Sequence, residues 1–225
     1  MQAERDKFID TIFNIESEKR TDYFFTDNWD QKSMWLEIDA ETNPDKVLNL
    51  LHSVFSEYNT WVHHYSPVQI TLGIEAIFNP CFSNLGFCFQ GKDVKKEKAV
   101  QAIRSFGDFF LSVFEQSAPT NLCHLGQSTQ DHQAGVISHM VYMFWDTAPI
   151  PHQCSMEVRS TCLDVMRRCT MSTNIAIVES GLHGLGHAVQ EYGQEYVRPY
   201  FTSANITNNT ALKSYAAKAM VGNVL

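Results

Sequence analysis

Residues 43–80 read NPDKVLNLLHSVFSEYNTWVHHYSPVQITLGIEAIFNP, and this stretch decides the fold class. Asn43-Pro44 and Ser66-Pro67 are strong helix starts, because the first residue of each pair can cap a helix and proline needs no hydrogen-bond partner in the first turn. Apolar residues follow each start at spacings of three and four, and Asn79-Pro80 ends the second segment. The stretch therefore predicts two helices joined as an antiparallel hairpin, the first running from Pro44 to about Val62.

The rest of the chain carries the same helical spacing. An amphipathic helix is predicted around Phe8 to Phe13, whereas residues 21–40 hold aromatic residues without a clean period and are expected to be irregular. No segment shows strand alternation or an Asn-Gly hairpin turn, so the predicted fold class is all-α, in a single domain over residues 1–225. The later helices are predicted from caps and apolar stripes: one capped by Asp93, one over 136–145, one capped by Ser155, one opened by Thr173, a short one over 196–204 and one capped by Asn208.

The C-terminal quarter, residues 173–225, reads as a helix, a turn containing Pro199, a short helix and a capped helix with an alanine-rich face. This succession of elements resembles HEAT-like helical repeats. The resemblance implies helical hairpins stacked as a HEAT-like α-α superhelix, and an irregular multi-helix bundle is the alternative. A fold of that kind implies scaffolding or partner binding without identifying the partner.

Composition and charge limit the classes of partner. The formal net charge is -8, and lysine and arginine are thinly spread apart from the cluster at positions 92–98. This acidity argues against nucleic acid and anionic membranes as partners and leaves a protein or peptide. No stretch reaches the roughly 18 apolar residues of a membrane-spanning helix, and the N-terminal stretch has no apolar run of signal-peptide length. We therefore expect a cytoplasmic protein whose six cysteines are reduced and buried.

One constellation predicts a site. Glu179, His183 and His187 are spaced four apart in a segment with helical periodicity, so they share one stripe and can converge on a ligand or a divalent metal ion. The histidine spacing matches the zincin motif HExxH, but glycine follows His183 where that motif has its general-base glutamate, which removes the metalloprotease interpretation. A fourth metal ligand would have to come from another helix, and the candidates are Asp131, His132 and His139.

A structural interpretation of the same segment is also open. Gly181, Gly184 and Gly186 each cost about 1 kcal/mol relative to alanine inside a helix, and the usual compensation is the close approach of a neighbouring helix or of a ligand. In that case His183 is a packed side chain whose ring nitrogens satisfy the end of a neighbouring helix.

The helical wheel turns His183 and His187 progressively away from the apolar stripe, so we expect them to line a groove or to face solvent.

Two functions from different classes follow from these residues. The first is a helical-repeat-like interaction module that binds a protein or peptide in a groove near Glu179, His183 and His187. The second is a metal-dependent hydrolase in which the two histidines are metal ligands, Glu179 is the third ligand or the base, and a bound water is the nucleophile. No cofactor besides this divalent metal is indicated, because the sequence has no P-loop, no GxSxG and no dinucleotide-binding glycine motif.

Overall fold

Helices make up the regular structure of residues 2–14, 43–90, 94–124, 132–201 and 209–224, which are the residues that the computed structural model describes. These ranges contain no β-strand, so the predicted all-α class is confirmed. In chain order the α-helices are α1 Gln2–Phe13, α2 Pro44–Ser56, α3 Pro67–Phe78, α4 Lys96–Ser117, α5 His132–Thr147, α6 Met156–Cys169, α7 Ile175–Tyr192, α8 Gln194–Val197 and α9 Thr210–Ala219.

Both proline-marked helix starts are confirmed. The Asn43 side chain accepts a hydrogen bond from the backbone N–H of Lys46, and Ser66 forms a reciprocal capping box with Gln69. Helix α2 ends earlier than predicted and gives way to two short 3-10 turns, Tyr58–Thr60 and Val62–His64. The Trp61 indole donates to the carbonyl oxygen of Val54 at 3.0 Å, so the chain folds back on α2 instead of extending it.

The later helix starts fall at or within two residues of their predicted positions, except that of α5, which begins at His132, four residues before the predicted start at 136. Ser155 caps α6 as predicted. Helix α7 is capped by Asn174 rather than opened by Thr173, since the Asn174 side chain accepts the backbone N–H of Ala176. The cap of α9 is Asn209. The predicted caps Asp93 and Asn208 and the predicted irregular segment 21–40 lie outside the described residues.

The segment predicted as one short helix over 196–204 forms two elements in its described part. Helix α8 is followed by a 3-10 turn over Arg198–Phe201. Pro199 explains the change, because proline has no N–H to continue the α-helical hydrogen bonds.

Helices two apart in the sequence pack side by side. Helix α1 packs on α3, α3 on α5 and α5 on α7, while α2 packs on α4 and α4 on α6. Helices α2 and α3 therefore both form, but the prediction that they pair as an antiparallel hairpin is wrong, because α2 packs mainly on α4 and α3 packs on α1 and α5. Phenylalanine rings fill the space between these helices, with Phe106 of α4 in ring contact with residues from three of them: Phe55, Phe78 and Phe144.

Helix α7 lies in the middle of this arrangement, against α5, α6 and α9. A Cβ on Gly181 would lie 2.6 Å from the carbonyl oxygen of Met166 on α6, and a Cβ on Gly184 would lie 2.7 Å from the indole of Trp145 on α5. A Cβ on Gly186 would lie 2.4 Å from Val224. Real Cβ atoms do not come this close to other atoms, so the expected close approach of neighbouring elements is confirmed at all three glycines.

Two further expectations are tested by the described residues. None of the described helices has both the length and the apolar character that crossing a membrane would require. The six cysteines are free, and Cys88, Cys162 and Cys169 are buried as expected. Cys123 and Cys154 are partly buried, and Cys81, in the turn after the end of α3, is exposed, so the expectation of burial is wrong for Cys81.

Candidate functional site

Helix α7 carries polar side chains into the interior. Because neighbours surround this helix, every residue from 176 to 189 is buried except His187, which is partly exposed. Glu179, Ser180 and His183 have no exposed surface at all. The expectation that His183 lines a groove or faces solvent is therefore wrong. A helical wheel places each side chain relative to the apolar stripe of α7 alone, and it contains no information about α9, which packs on α7.

The imidazole rings of His183 and His187 face each other through their Nε2 atoms. These two atoms lie 3.2 Å apart, and the ring planes are nearly perpendicular, at 83°. A tetrahedral metal ion bound to two histidines at 2.0–2.1 Å would hold their nitrogens about 3.3 Å apart. The two rings therefore already have the separation that a shared metal ion requires.

Asp146, near the end of α5, supplies a third ligand atom. Its Oδ1 lies 3.7 Å from the Nε2 of His187, and the ligand atoms of Asp146, His183 and His187 all lie within 4.8 Å of one another. Exposure rises across the group, from a fully buried His183 to His187 at 22% and Asp146 at 40% of their side chains. An ion held here would be enclosed on the His183 side and reached by solvent on the Asp146 side.

Glu179 lies on the same helix but is used differently. One of its carboxylate oxygens accepts the backbone N–H of Cys123 at 2.7 Å, and the other accepts that of His124 at 3.1 Å. The structure thus brings His183 and His187 together with Asp146, whereas the Glu179 carboxylate holds the 122–124 segment. Glu179 is not among the residues whose ligand atoms form the group of Asp146, His183 and His187, so the roles predicted for it, as metal ligand or base, stay predictions.

A tyrosine network supports the buried face of His183. The Nδ1 of His183 lies 2.8 Å from the hydroxyl of Tyr215 on α9, and this hydroxyl lies 3.2 Å from that of Tyr142 on α5. The ring of Tyr142 also lies against His183, with 4.1 Å between ring centroids, and the ring of His124 stacks on that of Tyr142. Both ring nitrogens of His183 are therefore engaged by side chains and not, as the structural interpretation predicted, by the end of a neighbouring helix.

Burial sets the protonation states in this network. Loss of hydration on burial, together with the nearby rings of His187 and His124, lowers the pKa of His183 to about 3. His183 is therefore a neutral imidazole, the form that binds metal ions. Burial also raises the pKa of Tyr142 to about 12 and that of Tyr215 above its ordinary value, so both phenols keep their protons.

The predicted fourth-ligand candidates do not join this group within the described residues. His139 is exposed and lies between α3 and α5, beside Glu75 and Asn79. The side chain of His132 and the whole of Asp131 lie outside the described residues. Asp146 was missed because it is 37 positions before His183, and only the packing of α5 on α7 brings it to the histidines.

Comparisons of the chain with protein-family models, with curated proteins and with solved structures found no match. The geometry of Asp146, His183 and His187 is therefore the evidence on which a function can be argued.

Proposed function

We propose that this protein binds one divalent transition-metal ion through His183, His187 and Asp146, and that the metal carries a water for hydrolysis. The observation that supports the proposal is the 3.2 Å separation of the two Nε2 atoms with the Asp146 carboxylate beside them. Two histidines and one carboxylate form the ligand set of several catalytic zinc sites, and the same set with open positions also suits Fe(II). A structural zinc site would be closed by a fourth protein ligand, whereas this group has three ligand residues in the described part of the chain and is exposed to solvent at Asp146.

A metal ion held by these three residues would keep a fourth coordination position for a water molecule. A metal-bound water is acidic enough to supply hydroxide near neutral pH. The hydroxide would attack an acyl or phosphoryl centre, the bond to the leaving group would break, and the proton released by the water would pass to that leaving group. The metal itself generates the nucleophile, so this scheme needs no base from Glu179, whose two oxygens accept backbone N–H groups.

Elemental analysis of protein purified without chelator tests the proposal. We expect close to one equivalent of zinc, iron or manganese per chain, and loss of the metal in the His183→Ala/His187→Ala variant. The matched control is His152→Ala, because His152 also contacts a carboxylate, Glu191, but does so on the exposed end of α7. Equal metal content in the native protein and the double variant, or none in the native protein, would overturn the proposal.

The interaction module remains a second candidate, supported by a groove between α4 and α6. This groove encloses about 540 Å³ and is lined by residues of both helices, among them Gln101, Arg104, Ser160 and Thr161. The walls of this open groove combine charged residues such as Arg104 and Glu157 with mainly apolar side-chain surface, which suits a peptide or a protein segment. It is a different surface from the one predicted near Glu179 and His183, which are both buried.

Substitution in the groove tests this second candidate. We expect Arg104→Ala/Thr161→Ala to lose partners that the native protein retains in crosslinking experiments, because both side chains line the groove. The control is Lys213→Ala, an exposed position on α9 outside the groove lining. An unchanged set of partners in the groove variant would rule out this surface.

A further inference from the structure

A hydrogen-bond chain reaches the two histidines from helix α9. It begins at the hydroxyl of Tyr142, passes through the hydroxyl of Tyr215 and ends at Nδ1 of His183. The other nitrogen of the same ring, Nε2, points to His187. His183 thus joins the tyrosine pair on one side to the three possible metal ligands on the other.

A neutral histidine can bind a metal through Nε2 only when its proton is on Nδ1. In that tautomer the Nδ1–H of His183 donates to the Tyr215 oxygen, and the Tyr215 hydroxyl is then free to donate to Tyr142. The alternative tautomer carries its proton on Nε2, where it would occupy the lone pair that the metal needs. A tyrosine hydroxyl can accept from Nδ1–H or donate to a bare Nδ1, so Nε2 is ready for a metal ion in the arrangement in which Tyr215 accepts from His183 and donates to Tyr142.

We propose that Tyr215 is a positioning residue that holds His183 in the Nδ1–H tautomer, with Nε2 directed at the metal ion. The inference rests on the proposed metal site and adds a residue from a third helix to it. Tyr215 touches neither the metal position nor His187 in the described contacts, so it acts through His183 alone.

Burial strengthens the effect of Tyr215 on the tautomer of His183. His183 has no exposed surface and Tyr215 is 3% exposed, so their hydrogen bond is formed in an environment of low polarity. The ring of Tyr215 is also fixed by the small apolar cluster between α5, α7 and α9, which includes Leu182, Leu212 and Val224. Replacing Tyr215 by phenylalanine would keep this packing and remove only the hydroxyl.

Tyr215→Phe is tested by two measurements on the full chain. The first is the tautomer of His183 in the metal-free protein, read from the ¹⁵N chemical shifts of its ring nitrogens. The second is the affinity for zinc, measured by competition with a chromogenic chelator. We expect native His183 to carry its proton on Nδ1, the variant to shift the proton toward Nε2, and the zinc affinity to fall about 10- to 100-fold.

Ser180→Ala is the matched control. The Ser180 hydroxyl is fully buried on α7, the helix of His183, and donates to the carbonyl oxygen of Val141 at 2.6 Å. Its removal therefore also removes one buried hydrogen bond. We expect Ser180→Ala to lower the thermal midpoint as Tyr215→Phe does, but to leave the His183 tautomer unchanged and the zinc affinity within about threefold, because the described hydrogen bond of Ser180 goes to Val141 and not to a histidine ring.

The two measurements separate this inference from the proposed function. If the native protein binds no zinc, the metal site is refuted, and the ¹⁵N shifts still show whether Tyr215 sets the tautomer. If zinc binds and Tyr215→Phe changes neither the tautomer nor the affinity, the role of Tyr215 is overturned while the metal site stands.

Discussion

At the scale of single residues, the interior of α7 shows how a buried polar group is satisfied. The two carboxylate oxygens of Glu179 accept one backbone N–H each, from Cys123 and His124, and the group has no exposed surface. A buried acceptor of this kind fixes the donors that it binds, because leaving them unpaired is costly. Glu179 therefore anchors the segment that places His124 against Tyr142.

Glu179→Gln tests this role. Glutamine offers one carbonyl oxygen and an NH₂ group, so one backbone N–H would face another donor, and we expect a loss of about 1–3 kcal/mol in the free energy of unfolding by urea. The matched control is Glu191→Gln, a partly exposed carboxylate at the end of the same helix, with a loss below about 1 kcal/mol. Unchanged stability together with loss of bound metal would show that Glu179 is a metal ligand after all.

The candidate site was only partly predictable from its residues. The spacing of His183 and His187 places both rings on one stripe of one helix, and this local relation holds in the structure. Asp146 belongs to another helix, and no spacing along the chain indicates which acidic residue will meet the histidines. The burial of His183 also depends on α9, because a helical wheel contains only its own helix.

At the scale of helices, the glycines of α7 determine how closely its neighbours pack. Gly181 faces backbone, since the Met166 carbonyl oxygen would lie 2.6 Å from an added Cβ. Backbone cannot move aside as the tip of a flexible side chain can. The separation of α6 and α7 is therefore fixed at this position.

Gly181→Ala tests this contact by the sign of its effect. An alanine in an open helical position would stabilise the helix by about 1 kcal/mol relative to glycine. Here we expect a net loss of about 1–3 kcal/mol in urea unfolding, because α6 must shift to admit the methyl group. The control is Ser214→Ala at an exposed position of α9, which should be neutral or slightly stabilising. A stabilised Gly181→Ala variant would contradict the close contact of α6 and α7.

Glu115 joins the end of α4 to the start of α7. Its carboxylate accepts the hydroxyl of Ser172 at 2.7 Å and the backbone N–H of Thr173 at 2.9 Å, and these bonds lower its pKa below the ordinary value of 4.5. The negative charge of Glu115 also interacts favourably with the positive end of the helix dipole at the start of α7. The bonds are strongest while the carboxylate is ionised.

The stabilising effect of Glu115 should therefore depend on pH. Its folded-state pKa lies below its unfolded-state pKa, so its contribution is present above about pH 4.5 and is lost as the pH falls through the folded-state value. We expect Glu115→Gln to lose about 1 kcal/mol relative to the native protein at pH 7 and to differ much less at pH 3. Urea unfolding at both pH values measures this. An equal difference at both would show that the charge is not what stabilises the junction.

The positions of the helices were more predictable from the sequence than the pairs in which the helices pack. Caps at Asn43, Ser66 and Ser155 are local signals, because a side chain hydrogen-bonds to backbone only two or three residues away. The early end of α2 depends on Trp61 folding back on Val54, which the apolar period does not encode. The alternate packing of the helices likewise depends on contacts between distant parts of the chain.

At the scale of the whole molecule, the proposed site lies where three helices meet. Asp146 comes from α5, the two histidines from α7 and Tyr215 from α9, beside an apolar cluster that is smaller than the main core. A metal ion at this point would connect α5 to α7 and, through His183, to α9. The resemblance of residues 173–225 to HEAT-like repeats stays a prediction, since the comparisons found no match.

Zinc should stabilise the whole fold. A ligand that binds only the folded state at 100 times its dissociation constant contributes about 2.7 kcal/mol, which raises the thermal midpoint on the order of 5–10 °C for a chain of this size. Magnesium is the control, because it prefers oxygen ligands and should leave the midpoint unchanged. An equal shift with zinc in the His183→Ala/His187→Ala variant would place the binding elsewhere.

The most direct test of the metal site is a cobalt(II) titration of the metal-free protein followed by visible absorption. Cobalt replaces zinc readily, and its spectrum reports the ligand geometry. We predict saturation at one equivalent with the intense bands of four-coordinate cobalt in the native protein, a much weaker signal in Asp146→Asn, and none in His183→Ala/His187→Ala. A native spectrum that is indistinguishable from aqueous cobalt, or equal spectra in all three proteins, would contradict the proposed site.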